Sequence, residues 1–142
     1  MYDAVNGKIL TVSPPHLTQK LSLTPHQVGG SPDYQDSYAT TNAHLITIGT
    51  PGTTPTVQTL TSMHYARAFA NGVVLPNGKV FITGGQTYAV PFTDTNSILT
   101  PELWDPVAQT FTVLPPHLVP RNYHSIVSSL FHVMRYGWRW DG

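Results

Sequence analysis

Tyr123 and His124 are the residues whose types most readily do chemistry. A phenol beside an imidazole can offer a metal ion one oxygen and one nitrogen, or hold a proton between them. Adjacent residues on a strand point to opposite faces, so adjacency alone is a weak ligand signal. The chain has 7 His but no Cys, which removes disulfides and thiolate metal sites. One internal repeat earlier the matching pair is Phe69-Ala70, so packing does not demand a polar pair at this place.

The stretch from Val73 to Gly85 shows which elements must hold such residues. Two apolar runs, Val73-Val74-Leu75 and Val80-Phe81-Ile82, flank Pro76-Asn77-Gly78. β-Branched and aromatic residues suit a pleated strand, and Asn-Gly supplies the positive φ angles of a tight hairpin. Neither run alternates apolar with polar, which predicts cover on both faces. Gly84-Gly85 closes the second strand where the backbone must turn sharply or pack closely. The unit recurs: Asn6-Gly7-Lys8-Ile9-Leu10-Thr11-Val12 opens in the same way, with its Gly-Gly delayed to Gly29-Gly30. Arg67-Ala68-Phe69-Ala70-Asn71 aligns with Arg121-Asn122-Tyr123-His124-Ser125, 54 residues on (121 − 67). A kelch blade repeats every ~50 residues. The expectation is therefore all-β: a partial kelch-type β-propeller of about two four-stranded blades plus the first strand of a third.

In chain order, a strand is predicted around Ala43 to Ile48 and another over Thr56 to Leu60. The complete blade then runs through Phe69 to Leu75, Lys79 to Thr83, about Ile98 to Trp104, and Thr110 to Leu114. Asp105 to Gln109 makes the last turn, and Trp104 and Phe111 are expected to pack between blades. The propeller region is placed at residues 1–127, interrupted at 12–27. That interruption reads either as a loose loop on a blade edge or as a retained intron. Val12-Ser13 can be encoded by GTAAGT and Gln27 by CAG, the two ends of an intron, and the intron reading is favoured. Residues 128–142 form a divergent tail. Where the repeat calls for glycines, the chain has Trp138-Arg139-Trp140, whose codons read as glycines one base out of frame if Arg139 is encoded by AGG or CGG. Alternatively, Phe131, Met134, Trp138 and Trp140 form an apolar cap.

Only 10% of residues are charged, the formal net charge is zero, and 11 Gly and 13 Pro supply turns. This favours an all-β chain over a helical or disordered one. No basic cluster points to nucleic acid, and no apolar run approaches the ~20 residues of a membrane span. Met1-Tyr2-Asp3-Ala4 has neither a basic nor an apolar leader region, so a cytoplasmic or undetermined location is expected for the chain as given.

With residues 12–27 set aside, the run from Met1 to Ser37, which includes Gly30-Ser31-Pro32-Asp33-Tyr34-Gln35-Asp36-Ser37, resembles fungal galactose oxidase, a family of secreted copper radical oxidases. Ala39 to His44, Val73 to Pro76, Ile82 to Gln86, Val90-Pro91-Phe92 and Tyr123 to Ile126 extend the resemblance to about Val127. It implies a seven-bladed kelch propeller flanked by two other domains. The implied reaction oxidises a primary alcohol, such as that of galactose, to an aldehyde while O2 becomes H2O2. It also implies that Tyr123 and His124 are copper ligands and that Tyr123 is the base taking the alcohol proton. Tyr34 and Gln35 fall on positions around the copper and substrate, and Phe69 and Phe92 on aromatic walls of the sugar pocket. For the two Phe, blade packing explains them as well as a pocket does. Where the family has His after the first of these Phe, this chain has Ala70.

The family's redox cofactor is a tyrosine cross-linked to a cysteine, and the chain has no Cys. The resemblance therefore implies an extracellular copper enzyme for the parent. For this chain alone, the expectation is no bound copper, no activity, and self-association through open blade edges. The alternatives are a non-catalytic kelch module that binds partners and a non-functional truncated product.

Overall fold

The computed structural model describes residues 8–12, 30–50 and 52–128. Seven strands follow in order: β1 (Lys8–Val12), β2 (Ala43–Thr47), β3 (Thr56–Thr59), β4 (Asn71–Val74), β5 (Val80–Thr83), β6 (Glu102–Asp105) and β7 (Thr110–Val113). They form a three-stranded sheet, β1-β2-β3, and a four-stranded sheet, β4-β5-β6-β7. Every pairing is antiparallel between neighbours in sequence. This is the all-β architecture expected, in keeping with a partial propeller. The second sheet has all four strands, and the first has three among the described residues. The interruption begins at the end of β1, where Val12 pairs with Ala43. Residues 13–27 and those beyond Ser128 lie outside the described residues.

The repeat is visible in the ladders. Ile46 lies opposite Ile9 in the first sheet, as Trp104 lies opposite Val80 in the second. Leu60 N–H donates to Ala43 O (3.0 Å), and Leu114 N–H donates to Pro101 O (3.0 Å), so β1-β2-β3 match β5-β6-β7. The glycine pairs explain themselves. Gly30 N–H donates to Arg67 O (3.0 Å), and Gly85 N–H donates to Arg121 O (2.8 Å). Gly84 (φ 70°) lies so close to Arg121 that an added Cβ would sit 1.7 Å from its carbonyl oxygen. Only glycine allows that approach.

The core lies between the sheets. Ala43, Leu45, Leu60 and Met63 from the first part of the chain meet Val80, Ile82, Trp104 and Phe111 from the second. Trp104 is fully buried and Phe111 nearly so, as expected of residues between blades. Burying each large apolar side chain contributes ~1.5–3 kcal/mol. Beside this core, Arg67 and Glu102 are both inaccessible to solvent and form an ion pair of 3.1 Å. Arg67 also donates to Gly84 O (2.8 Å) and to Thr100 O. Glu102 accepts the backbone N–H groups of His64 (2.8 Å) and Tyr65 (3.2 Å). Burial pulls the Arg67 guanidinium below its ordinary value, and Glu102 opposes that shift.

Several expected strands are shorter than predicted, for identifiable reasons. β4 starts at Asn71, because Phe69 has a positive φ of 59° that no strand accommodates. β6 starts at Glu102. Pro101 has no N–H to give, while the oxygens of Leu99 and Thr100 accept from His117 and Arg67. The hairpin turn uses one positive φ, at Gly78 (81°), and closes with Gly78 N–H donating to Leu75 O (2.9 Å). Cover on both faces holds for β5, but Gly72 and Val74 of β4 are exposed. Residues 121–128, expected to begin a third blade, make a turn and no strand, since no ladder partner is present among the described residues.

Candidate functional site

The segment that carries Tyr123 and His124 is a tight turn. Ser125 N–H donates to Asn122 O (2.9 Å), and His124 takes a positive φ of 64°. The strand argument that neighbours face opposite ways therefore does not apply. The two rings lie on the same side and stack, with centroids 3.8 Å apart and planes 26° from parallel.

Three of the four remaining expected site residues frame this pair in an aromatic fan. Tyr123 meets Phe92 at 4.8 Å, Phe69 at 5.2 Å and Tyr34 at 5.6 Å, always edge to face. Tyr34 meets Phe69 at 5.9 Å, and Phe92 meets His124 at 5.7 Å. Each such pair adds ~0.5–1.5 kcal/mol beyond the area it buries. Gln35 is exposed on the loop that carries Tyr34, outside the ring cluster. An open cleft of about 300 Å³ is lined by Phe92, Asp94, Asn122, Tyr123 and His124, among others.

The backbone is held in costly conformations here. Phe69 (59°), Phe92 (61°) and His124 (64°) all have positive φ. A non-glycine residue in that region costs ~1–3 kcal/mol and persists only where its surroundings force it. Buried amides hold the loop of Phe92 and the Tyr123-His124 turn. Gln86 is inaccessible to solvent, and its Nε2 donates to Thr93 O (3.0 Å) and Thr95 O (2.8 Å). Its Oε1 accepts Val90 N–H (3.1 Å), so one side chain shapes the loop that presents Phe92. Asn122 ties the same loop to the Tyr123-His124 turn, donating to Ser97 Oγ (2.7 Å), Thr93 O (3.2 Å) and Asp94 Oδ1 (3.3 Å). At the other corner of the turn, Asn71 Nδ2 donates to Ser125 Oγ (2.6 Å).

The electrostatics link two phenols. A hydrogen bond with Tyr123 holds the Tyr34 phenol above its ordinary value, and desolvation and the nearby Tyr123 charge push the same way. Among the described residues no group of three or more His, Cys, Asp or Glu could hold a metal ion. Tyr123 and His124 offer one oxygen and one nitrogen, a donor pair whose chemistry suits Cu(II). The structure thus brings Tyr123, His124, Tyr34, Phe69 and Phe92 together. Sequence reasoning missed Asn122 and Gln86, whose only signal was their position beside Tyr123 and Gly85.

No family model matches the chain. Two galactose oxidases of Gibberella zeae are each 50% identical over 127 residues, a match that covers 89% of this chain and 16% of the relative. A solved fungal alcohol oxidase of the AA5 family, in complex with copper, matches at a TM-score of 0.72 and 45% identity. That match covers 89% of this chain and 23% of the solved one. Fold and sequence thus match a segment of that fungal alcohol oxidase. Over the residues matched, the chain corresponds in sequence to a fragment of galactose oxidase, and it spans about a sixth of the length of those curated relatives.

Proposed function

We propose that this chain is the part of a galactose oxidase-like copper radical oxidase that supplies Tyr123 and His124 to the metal. The parent would be a secreted kelch propeller that oxidises the primary alcohol of galactose while reducing O2. The observation that carries the reading is the stacked Tyr123–His124 pair inside a fan of aromatic rings, held on strained backbone. Copper, when bound, supplies Lewis acidity and one redox equivalent. The chain's own residues do the rest. The Tyr123 phenolate accepts the proton of the substrate hydroxyl. Tyr34 donates a hydrogen bond to the Tyr123 oxygen and so steadies its charge. Phe69 and Phe92 form the apolar walls against which the sugar orients, with Gln35 at their rim. Ala70 leaves this wall without the hydrogen-bonding His of the family, which favours less selective recognition of the sugar hydroxyls.

On this reading the 142-residue chain does not turn over by itself. The reaction removes two electrons, and the second equivalent needs a cysteine-linked tyrosine that a chain without Cys cannot form. The test is made in the longer parent. Tyr123→Phe should lower turnover ~10²–10⁴-fold with copper retained, and His124→Ala should lower copper content. Full turnover in Tyr123→Phe would overturn the assignment.

A further inference from the structure

The contact between the two sheets leaves a copy of itself unmade on either side. Residues opposite each other in a ladder share a face of the sheet, and successive residues do not. In the second sheet Val80, Trp104 and Phe111 form one row, buried against the first sheet. The first sheet meets them with Leu45, and Leu10, paired to it across the ladder, packs beside it. The repeat assigns the rows on the outer faces. Ile9, Ile46 and Val57 stand in their ladder where Val80, Trp104 and Phe111 stand in theirs. Phe81 and Leu103, with Val73 beside them, stand where Leu10 and Leu45 stand. Val57 is 38% exposed and the other five are half-buried, and neither row faces a third sheet among the described residues.

The strand edges show the same complementarity. β5 holds β4 on one side and β6 on the other, whereas its counterpart β1 pairs only with β2 among the described residues. Residues 125–128 repeat β4, 54 residues on (125 − 71), and have no ladder partner among the described residues. They alternate half-buried and exposed, as β4 does. Ile126 is 87% exposed and Leu118 95%. Both border a cleft of about 310 Å³ that Thr83, His117 and Val127 also line.

We propose that both rows are covered by further copies of this chain, joined head to tail. The Ile9–Ile46–Val57 row of one copy packs on the Val73–Phe81–Leu103 row of the next, which repeats between copies the contact already made within each. Residues 125–128 of that next copy add to the free side of β1 as its inner strand. The β4–β5 register, carried over by the repeat, sets Ser125 opposite Val12, Ile126 opposite Thr11, Val127 opposite Leu10 and Ser128 opposite Ile9. The added strand pairs backbone groups that an open edge leaves bare, and it lays Ile126 between the two sheets. A head-to-tail contact makes a ring where its rotation closes. Propellers close at ~4–8 blades, so with two sheets a copy the ring holds about two to four copies. The proposal rests on the repeat and not on the copper reading, and it stands or falls separately from that reading.

The test is sedimentation of the purified 142-residue chain over a range of concentrations, where an assembly of about two to four copies is expected. Val57→Lys puts a charge in the row at one end and Ile126→Lys one at the other, and each alone should lower the mass to a single copy. Both residues are exposed, so neither change should disturb the fold, which circular dichroism checks. Mixed in equal amounts, the two variants should form a pair of one copy each, since each keeps the surface that the other has lost. A contact between like faces would instead leave one variant fully assembled, and that result overturns the head-to-tail arrangement. So does a single copy of the unsubstituted chain at every concentration, growth without limit, or a mixture that stays apart. Hydrogen exchange tests the strand addition with no substitution at all. The N–H groups of β1 and of residues 125–128 should slow together as concentration rises. Protection of β1 already complete in the dilute chain would mean that a segment of the same copy covers that edge, and it overturns the strand addition.

Discussion

The imidazole of His124 lies flat on the phenol of Tyr123, 3.8 Å between centroids, because His124 occupies the left-handed position of a turn. Asn122 fixes one corner of that turn against the loop of Phe92. Removing the Nδ2 donor leaves a half-buried serine hydroxyl, a carbonyl and a carboxylate without it. Asn122→Ala should cost ~1–3 kcal/mol and release the stacking of the two rings. The readout is the ring-current shift of the His124 ring protons beside a denaturant melt. Unchanged His124 shifts would show that the turn holds itself.

Tyr34 and Tyr123 share a hydrogen bond, which raises the Tyr34 phenol above its ordinary value of 10.0. A raised acid favours the protonated native state. The contribution is complete below the unfolded tyrosine value and fades as pH climbs through the higher folded value. Ultraviolet titration should show one tyrosine ionising late, and Tyr123→Phe should return it toward 10.0. A late phenol that survives in Tyr123→Phe would mean the shift has another source.

Arg67 and Glu102 are both fully buried, and each also satisfies backbone groups on the other side. Removing one partner strands the other as a buried charge. Glu102→Gln should destabilise the fold by ~3–5 kcal/mol, more than an exposed pair could contribute. Chemical denaturation followed by Trp104 fluorescence reads this. A loss near zero would show that water reaches Arg67.

Much of the fold is legible in the sequence because the signals are local. β-Branched runs, Asn-Gly and Gly-Gly are enough to place β5, its turn and the second sheet. The 54-residue offset between Arg67 and Arg121 reappears in space, where Asn71 donates to Ser125, the residue one repeat later. The site residues came from family resemblance, and the structure brings five of the six together. What could not be read was conformation that runs against residue preference. Phe69, Phe92 and His124 carry no glycine-like signal, yet all three have positive φ. Gln86 and Asn122, which hold the loop of Phe92 and the turn of His124, look like ordinary loop amides. For the same reason Tyr123-His124 reads as a strand pair in the sequence and forms a turn in the structure.

Gly84→Ala and Gly78→Ala separate close approach from backbone conformation. Both glycines have positive φ, but a Cβ at Gly78 meets nothing within 4 Å, whereas at Gly84 it strikes the Arg121 carbonyl. Gly78→Ala should cost ~1–2 kcal/mol. Gly84→Ala should cost several times that and detach residues 121–128, and with them Tyr123, from the second sheet. Hydrogen exchange at Gly85 N–H, which donates to Arg121 O, reports the detachment directly. Equal costs would show that the approach of Arg121 is not fixed.

The most direct measurement is peroxide release by the purified 142-residue chain given Cu(II), O2 and galactose, followed with a peroxidase-coupled dye. The account predicts no galactose-dependent peroxide, because Tyr123 and His124 supply a base and a ligand but no cysteine-linked second redox centre. Copper-dependent peroxide that rises in proportion to galactose would contradict it.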